Sequence, residues 1–320
     1  MQSTQTPRYA KVIEVSKRVR WEIERDVIRG RSFDYGRHFM PHGLSLVDEL
    51  GFMSADDQRL LSQVQGRTYA YMFGLVERFI AAKALQLGQS HAFGDQVAMQ
   101  AIVRMTDEEL KHQELFRRIE TMMAADMPAG YVQTADADAV AQQVLSKSDW
   151  AVLAFTLDIE LFSQAHYRAS IEPDAHISEL WKDLFLFHWR EESQHAVLDE
   201  LELLREDARI DATQRDAAVG ELIELVGAVD GMVQAQARAD ADYFCNISDT
   251  PYSAAQREQI HATVLKAYRW QYIVSGAIEP RFQKTLFGLL DAAQIARIQA
   301  ALAPLSYAVP AQPDPMPMAA

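Results

Sequence analysis

Two short stretches repeat one spacing: Glu109-Leu110-Lys111-His112 and Glu192-Ser193-Gln194-His195 each set a carboxylate three residues before an imidazole. A helix turns about 100° per residue, so both groups of each pair face one side. Each pair also has a glutamate 32 residues before its own: Glu77 before Glu109, and Glu160 before Glu192. A shift of 83 residues therefore carries Glu77, Glu109 and His112 onto Glu160, Glu192 and His195. Carboxylates and imidazoles are ligands for iron and manganese. Four carboxylates offset most of the charge of two divalent ions and can bridge them, while imidazoles complete the shell without adding charge. One glutamate from each of two helices, with Glu-x-x-His from each of two others, is the ligand plan of a di-iron or di-manganese four-helix bundle. A lone Glu-x-x-His reads as a solvated charged face. Two of them, each with a glutamate at matched distance, favour the metal reading.

Five further residues bear on that site. His188 lies one turn before Glu192 and aims at the same side, which makes it a candidate seventh ligand. Its counterpart under the shift is Met105, and the alternative is a histidine packed beside Trp189. Glu108 and Glu191 immediately precede the ligand glutamates. They face solvent, or they accept the second N–H of the histidine on the opposite motif and fix its tautomer. Tyr69 and Tyr71, near Glu77, read first as packing aromatics and second as part of the site wall.

Four long helices must position these groups. Ser54-Ala55-Asp56-Asp57 reads as an N-cap with an acidic first turn. From there to about Gly88, Tyr69, Phe73, Val76, Ile80, Ala84 and Leu87 form an apolar stripe that includes Glu77. A carboxylate on such a stripe is costly to bury unless it is paired or binds metal. The second core helix is expected over about 93–125, the third over 148–171 and the fourth over 178–205. Before them, Pro7 to about Arg29 predicts one amphipathic helix, and 31–54 an irregular ordered loop with room for a helical turn. A short helix is expected at 136–146, and flanking helices at about 212–245, 253–277 and 280–302. Residues 1–303 are expected to form a single domain with its core at about 54–205. Residues 304–320, with five prolines, are expected to be a disordered tail. The fold class is all-α, a four-helix bundle with additional flanking helices.

Composition narrows the partners. A formal charge of −14 argues against nucleic acid and anionic membrane. The only cysteine, Cys245, excludes an intramolecular disulfide and a cysteine-ligated iron–sulfur cluster, and it suits a cytoplasmic protein. The first twenty residues do not resemble a signal peptide, and no apolar run reaches transmembrane length. No Gly-rich phosphate-binding loop supports a flavin or nicotinamide site, so electrons are expected from an external donor.

The set Glu77, Glu109, His112, Glu160, His188, Glu192 and His195 resembles the p-aminobenzoate N-oxygenase (AurF-like) family of ferritin-like di-iron proteins. The pattern His-x-x-x-Glu-x-x-His on the last core helix distinguishes that family, and His188 to His195 fit it position by position. The resemblance covers about residues 30–205. It implies a ferritin-like bundle, two iron ions with manganese as a substitute, and an oxygenase that uses O₂ on a small organic substrate such as an arylamine. It also implies a homodimer. No basic residue lies within four positions of Glu77 on its N-terminal side, so no clamp for an aryl carboxylate is evident there. Two other readings stand beside it. A di-iron hydroxylase or desaturase shares the Glu-x-x-His pairs but usually lacks the third histidine. A ferroxidase or metal-storage protein would need a cage-forming oligomer.

Overall fold

The computed structural model describes residues 5–311. Among them every regular element is helical, and the one extended pairing is an isolated parallel bridge between His38 and Ile177. The helices are α1 (Thr6–Arg18), α2 (His42–Ser45), α3 (Ala55–Gln89), α4 (Gln96–Asp126), α5 (Ala137–Leu145), α6 (Asp149–His166), α7 (Glu179–Asp207), α8 (Ala212–Ile247), α9 (Ala254–Arg269), α10 (Ser275–Ala277), α11 (Pro280–Phe287) and α12 (Ala292–Leu302). The chain is all-α. No helix among the described residues is long and apolar enough to cross a membrane.

Side-chain caps set where the long helices begin. Ser54 accepts from the Asp57 N–H at the start of α3, and Ser148 accepts from the Ala151 N–H at the start of α6. Asp95 accepts from the N–H groups of Val97 and Ala98, so α4 begins at Gln96 rather than near Phe93, which stands exposed in the preceding loop. Each such cap satisfies an otherwise unpaired donor, worth about 1 kcal/mol. Helix α3 packs along α4, and α6 along α7; α1 crosses α4 and α7, and α8 lies over α6 and α9. Within this arrangement the α3 backbone passes close to the 31–54 segment: a Cβ on Gly66 would stand 2.7 Å from the Cβ of Phe39.

Three expectations are corrected. The helix expected from Pro7 to Arg29 is broken: α1 stops at Arg18, and a separate π-helical turn spans Ile23–Ile28. The break turns Trp21 inward, where its ring stacks on His112 with centroids 5.9 Å apart. The helix expected over 280–302 is two helices, because Asp291 forms a capping box with Gln294 and starts α12 afresh. Residues 304–308 are not a disordered tail: Ala303–Ala308 is a 3₁₀ turn with Leu305 and Ala308 buried. Residues 312–320 of that expected tail lie outside the described residues. Smaller departures are two π-helical turns, Tyr167–Ile171 continuing α6 and Trp270–Val274 continuing α9.

Candidate metal centre

Helices α3, α4, α6 and α7 bring all seven predicted ligands into one interior region. None of Glu77, Glu109, His112, Glu160, His188, Glu192 and His195 is more than 3 % exposed. Two groups of four form within it. Glu77, His112, His188 and Glu192 offer one ligand atom each within 4.8 Å of one another, and so do Glu109, His112, Glu192 and His195. His112 and Glu192 belong to both groups. Glu192 is the centre: its Oε1 lies 2.9 Å from His112 Nδ1 and 3.0 Å from His188 Nε2, and its Oε2 lies 3.2 Å from His195 Nδ1. His188 Nε2 is also 2.9 Å from Glu77 Oε1, and His195 Nδ1 is 2.8 Å from Glu109 Oε1. Glu160 stands outside both groups but beside Glu192.

Buried polar atoms are ordinarily hydrogen-bonded. Here Oε2 of Glu77, Oε2 of Glu109 and Oε2 of Glu160 are buried without a hydrogen-bond partner, and Oε1 of Glu109 and of Glu192 have only the site's own imidazole nitrogens beside them. That many unsatisfied acceptors converging on one point would be expensive unless a cation sits among them. The donor set is hard oxygen plus imidazole, so the residues fit two divalent transition-metal ions.

The protonation pattern reports the same concentration of charge. Burial, with the neighbouring Glu109 charge, pushes Glu77 up to about 7. Burial and the charge of Glu192 raise Glu160 well above the carboxylate range. Burial would also raise Glu192, but His188 and His195 overcome it and hold its carboxyl well below that range. For His112 and His195 burial opposes the charged form, yet the surrounding carboxylates win and raise both well above the ordinary value. His188 is raised for the same reason. In the absence of metal, protons on the imidazoles balance the carboxylates.

The outer nitrogens of two ligand histidines are held across the bundle. His112 Nε2 donates to Glu191 Oε2 and His195 Nε2 donates to Glu108 Oε2, each at 2.9 Å. A proton fixed on Nε2 leaves the Nδ1 lone pair facing the site. Both acceptors are themselves anchored. Lys111 Nζ donates to Glu191 Oε1 at 2.6 Å, while Ser16 Oγ and Gln194 Nε2 donate to Glu108 at 2.6 and 2.9 Å.

Compared with known proteins, the chain matches no family model, no curated protein and no solved structure.

Some contributors carried little sequence signal. Lys111 sits inside the first Glu-x-x-His, but only the fold shows that it braces Glu191 and lies 4.0 Å from the Trp21 ring centre. Phe73 and Phe116 meet the His188 ring edge-on, with centroids 5.2 and 5.1 Å away, and so fix its plane. The tyrosines near Glu77 are engaged elsewhere. Tyr69 OH is 2.8 Å from Nδ1 of His166, a histidine that burial pushes down to about 3, and Tyr71 OH donates to the Ala135 carbonyl.

Proposed function

We propose that this chain is a ferritin-like, non-haem di-iron oxygenase that activates O₂ for oxygen transfer to a small organic substrate, with N-oxygenation of an arylamine as the form its resemblance suggests. One observation carries the reading: two four-residue Glu/His groups share His112 and Glu192 in a fully buried site. When bound, two iron ions supply the redox chemistry, with electrons from an external donor.

The chain's own residues supply the setting. Glu192, common to both groups, has two oxygens suited to hold two ions close together, His112 offers its one Nδ1 lone pair to one of them, and Glu109, Glu77 and Glu160 would add the remaining carboxylates. Glu108 and Glu191 keep two imidazoles in the tautomer that presents Nδ1 inward. Phe73, Phe116 and Phe185 form an apolar wall around His188 that keeps bulk water away. The departure from exact pseudo-symmetry is His188, which faces Glu77 and Glu192 with no histidine counterpart on α4.

The test is direct. Protein reconstituted anaerobically with Fe(II) should hold close to two equivalents of iron and consume O₂ when mixed with it. Essentially zero bound iron after careful reconstitution overturns the di-iron reading.

A further inference from the structure

A cavity of about 330 Å³ lies between α3 and α6, and α5 and α8 close over it. Its floor is Phe73, Phe79, Phe155, Ile159 and Phe162, all buried. The floor shares its helices with the ligand set. Phe73 is one turn before Glu77 and touches the His188 ring edge-on at 5.2 Å, and Ile159 and Phe162 flank Glu160. The cavity opens between the two covering helices, where Ala139 on α5 and Ala228 and Ala235 on α8 are exposed.

The chemistry of the lining is one-sided. No Lys, Arg or His lines the cavity, and its one charged residue, Asp136, lies exposed at the rim, where it caps α5 by accepting from the Ala139 N–H at 2.7 Å. Of the other polar side chains, Thr134 and Gln143 are exposed too, and Tyr272 is buried with its uncharged hydroxyl unpartnered. An anionic group moved to the aromatic floor would lose its hydration and gain no counter-charge, which costs several kcal/mol or forces it to protonate. At the rim the same anion would meet the carboxylate of Asp136. An apolar body loses nothing on entry and gains by leaving water. The volume lies at the small end of the usual range for ligand pockets. At roughly 30 Å³ per small group, the share of a water in the liquid, it takes about ten heavy atoms.

We infer that this cavity is the substrate pocket and that it takes a neutral, largely hydrocarbon molecule of about ten heavy atoms. The inference rests on the di-metal oxygenase reading for the word substrate. The ligand class itself rests on the lining alone. An uncharged amine is compatible with a lining that includes the buried, unpartnered Tyr272 hydroxyl, whereas an aryl carboxylate is disfavoured throughout.

The probes are naphthalene and 2-naphthoate, which differ by one carboxylate. Full-length protein is loaded with Zn(II) or Co(II), its metal content is measured, and probe binding is followed by equilibrium dialysis and proton NMR. Naphthalene should bind at least ten times more tightly than 2-naphthoate, and its protons should relax faster in the Co(II) form than in the Zn(II) form. Ala235→Trp, at the exposed rim and away from the ligands, should keep two metals and weaken naphthalene at least tenfold. Two bound metals with no naphthalene binding, with equal binding of the anion, or with no Co(II)-dependent relaxation overturn this inference and leave the metal centre standing. Zero bound metal overturns the di-metal reading instead, whatever naphthalene does.

Discussion

Glu191 on α7 accepts the Nε2 proton of His112 on α4 at 2.9 Å, and Glu108 on α4 returns the same contact to His195 on α7. Each motif therefore supplies the group that orients the other motif's imidazole, so neither helix can shift without disturbing both. Carboxylates in this position typically change metal affinity or activity by 10–100-fold. Glu191→Gln and Glu108→Gln should each weaken the tighter of two Co(II) sites by about that factor, as read by competition with a chelator. Unchanged affinity in both variants would show that the contacts are incidental.

His188 has a different character, because it lies within 3.0 Å of both Glu77 and Glu192 and has no pseudo-symmetric partner. It reaches only the group that contains Glu77. His188→Ala should keep the helical circular-dichroism spectrum, retain at least one metal and lose most O₂-dependent turnover. The visible spectrum of Co(II) protein should change for one ion and not the other. Full activity in the variant would return the site to six protein ligands.

The charge balance predicts how metal binding depends on pH. His112 and His195 are raised well above the ordinary histidine value, so both carry protons in the metal-free chain near neutrality, and His188 is shifted in the same direction. A raised imidazole contributes stability that is fully present below its unfolded value of about 6.5 and is lost as pH rises through the folded value. Metal needs these nitrogens unprotonated, so loading expels protons and affinity should climb with pH above neutrality. Calorimetric titration with Zn(II) at pH 7 should give heats that scale with the ionisation enthalpy of the buffer. Heats independent of the buffer would mean that the imidazoles are already neutral.

The sequence made the four core helices legible because each is long, and three of them, α3, α4 and α6, carry a side-chain cap. The doubled spacing of Glu and His also located six of the seven side chains that the structure gathers together, and His188 followed from its place one turn before Glu192. What it concealed depends on contacts between distant segments. The apolar period of Val12, Val15, Val19 and Ile23 reads as one helix, yet packing against His112 outweighs propensity and turns the chain at Trp21. The break before α12 was in principle readable, since Asp291 and Gln294 have capping-box spacing. The role of Lys111 was not, because its partner Glu191 is 80 residues away. Nor was the cavity, which exists only where α3 and α6 stand apart beneath α5 and α8.

Two glycines inside long helices predict opposite outcomes for the same substitution. In the interior of a helix, alanine is favoured over glycine by up to about 1 kcal/mol. Gly231 on α8 is exposed and a Cβ there would meet nothing within 4 Å, so Gly231→Ala should raise stability by roughly 0.5–1 kcal/mol. Gly66 on α3 has no such space, because its Cβ would stand 2.7 Å from that of Phe39. Phe39 cannot retreat easily: it is fully buried, its ring stacks on Trp181 with centroids 5.6 Å apart, and its N–H donates to Ser62. Overpacking of this kind costs about 1–3 kcal/mol, which exceeds the helical gain. Urea unfolding should therefore place Gly231→Ala above the parent and Gly66→Ala below it by about 1–2 kcal/mol. A stabilised Gly66→Ala would mean that the 31–54 segment moves away from α3 at little cost, and that its close approach is not held by the Phe39 contact.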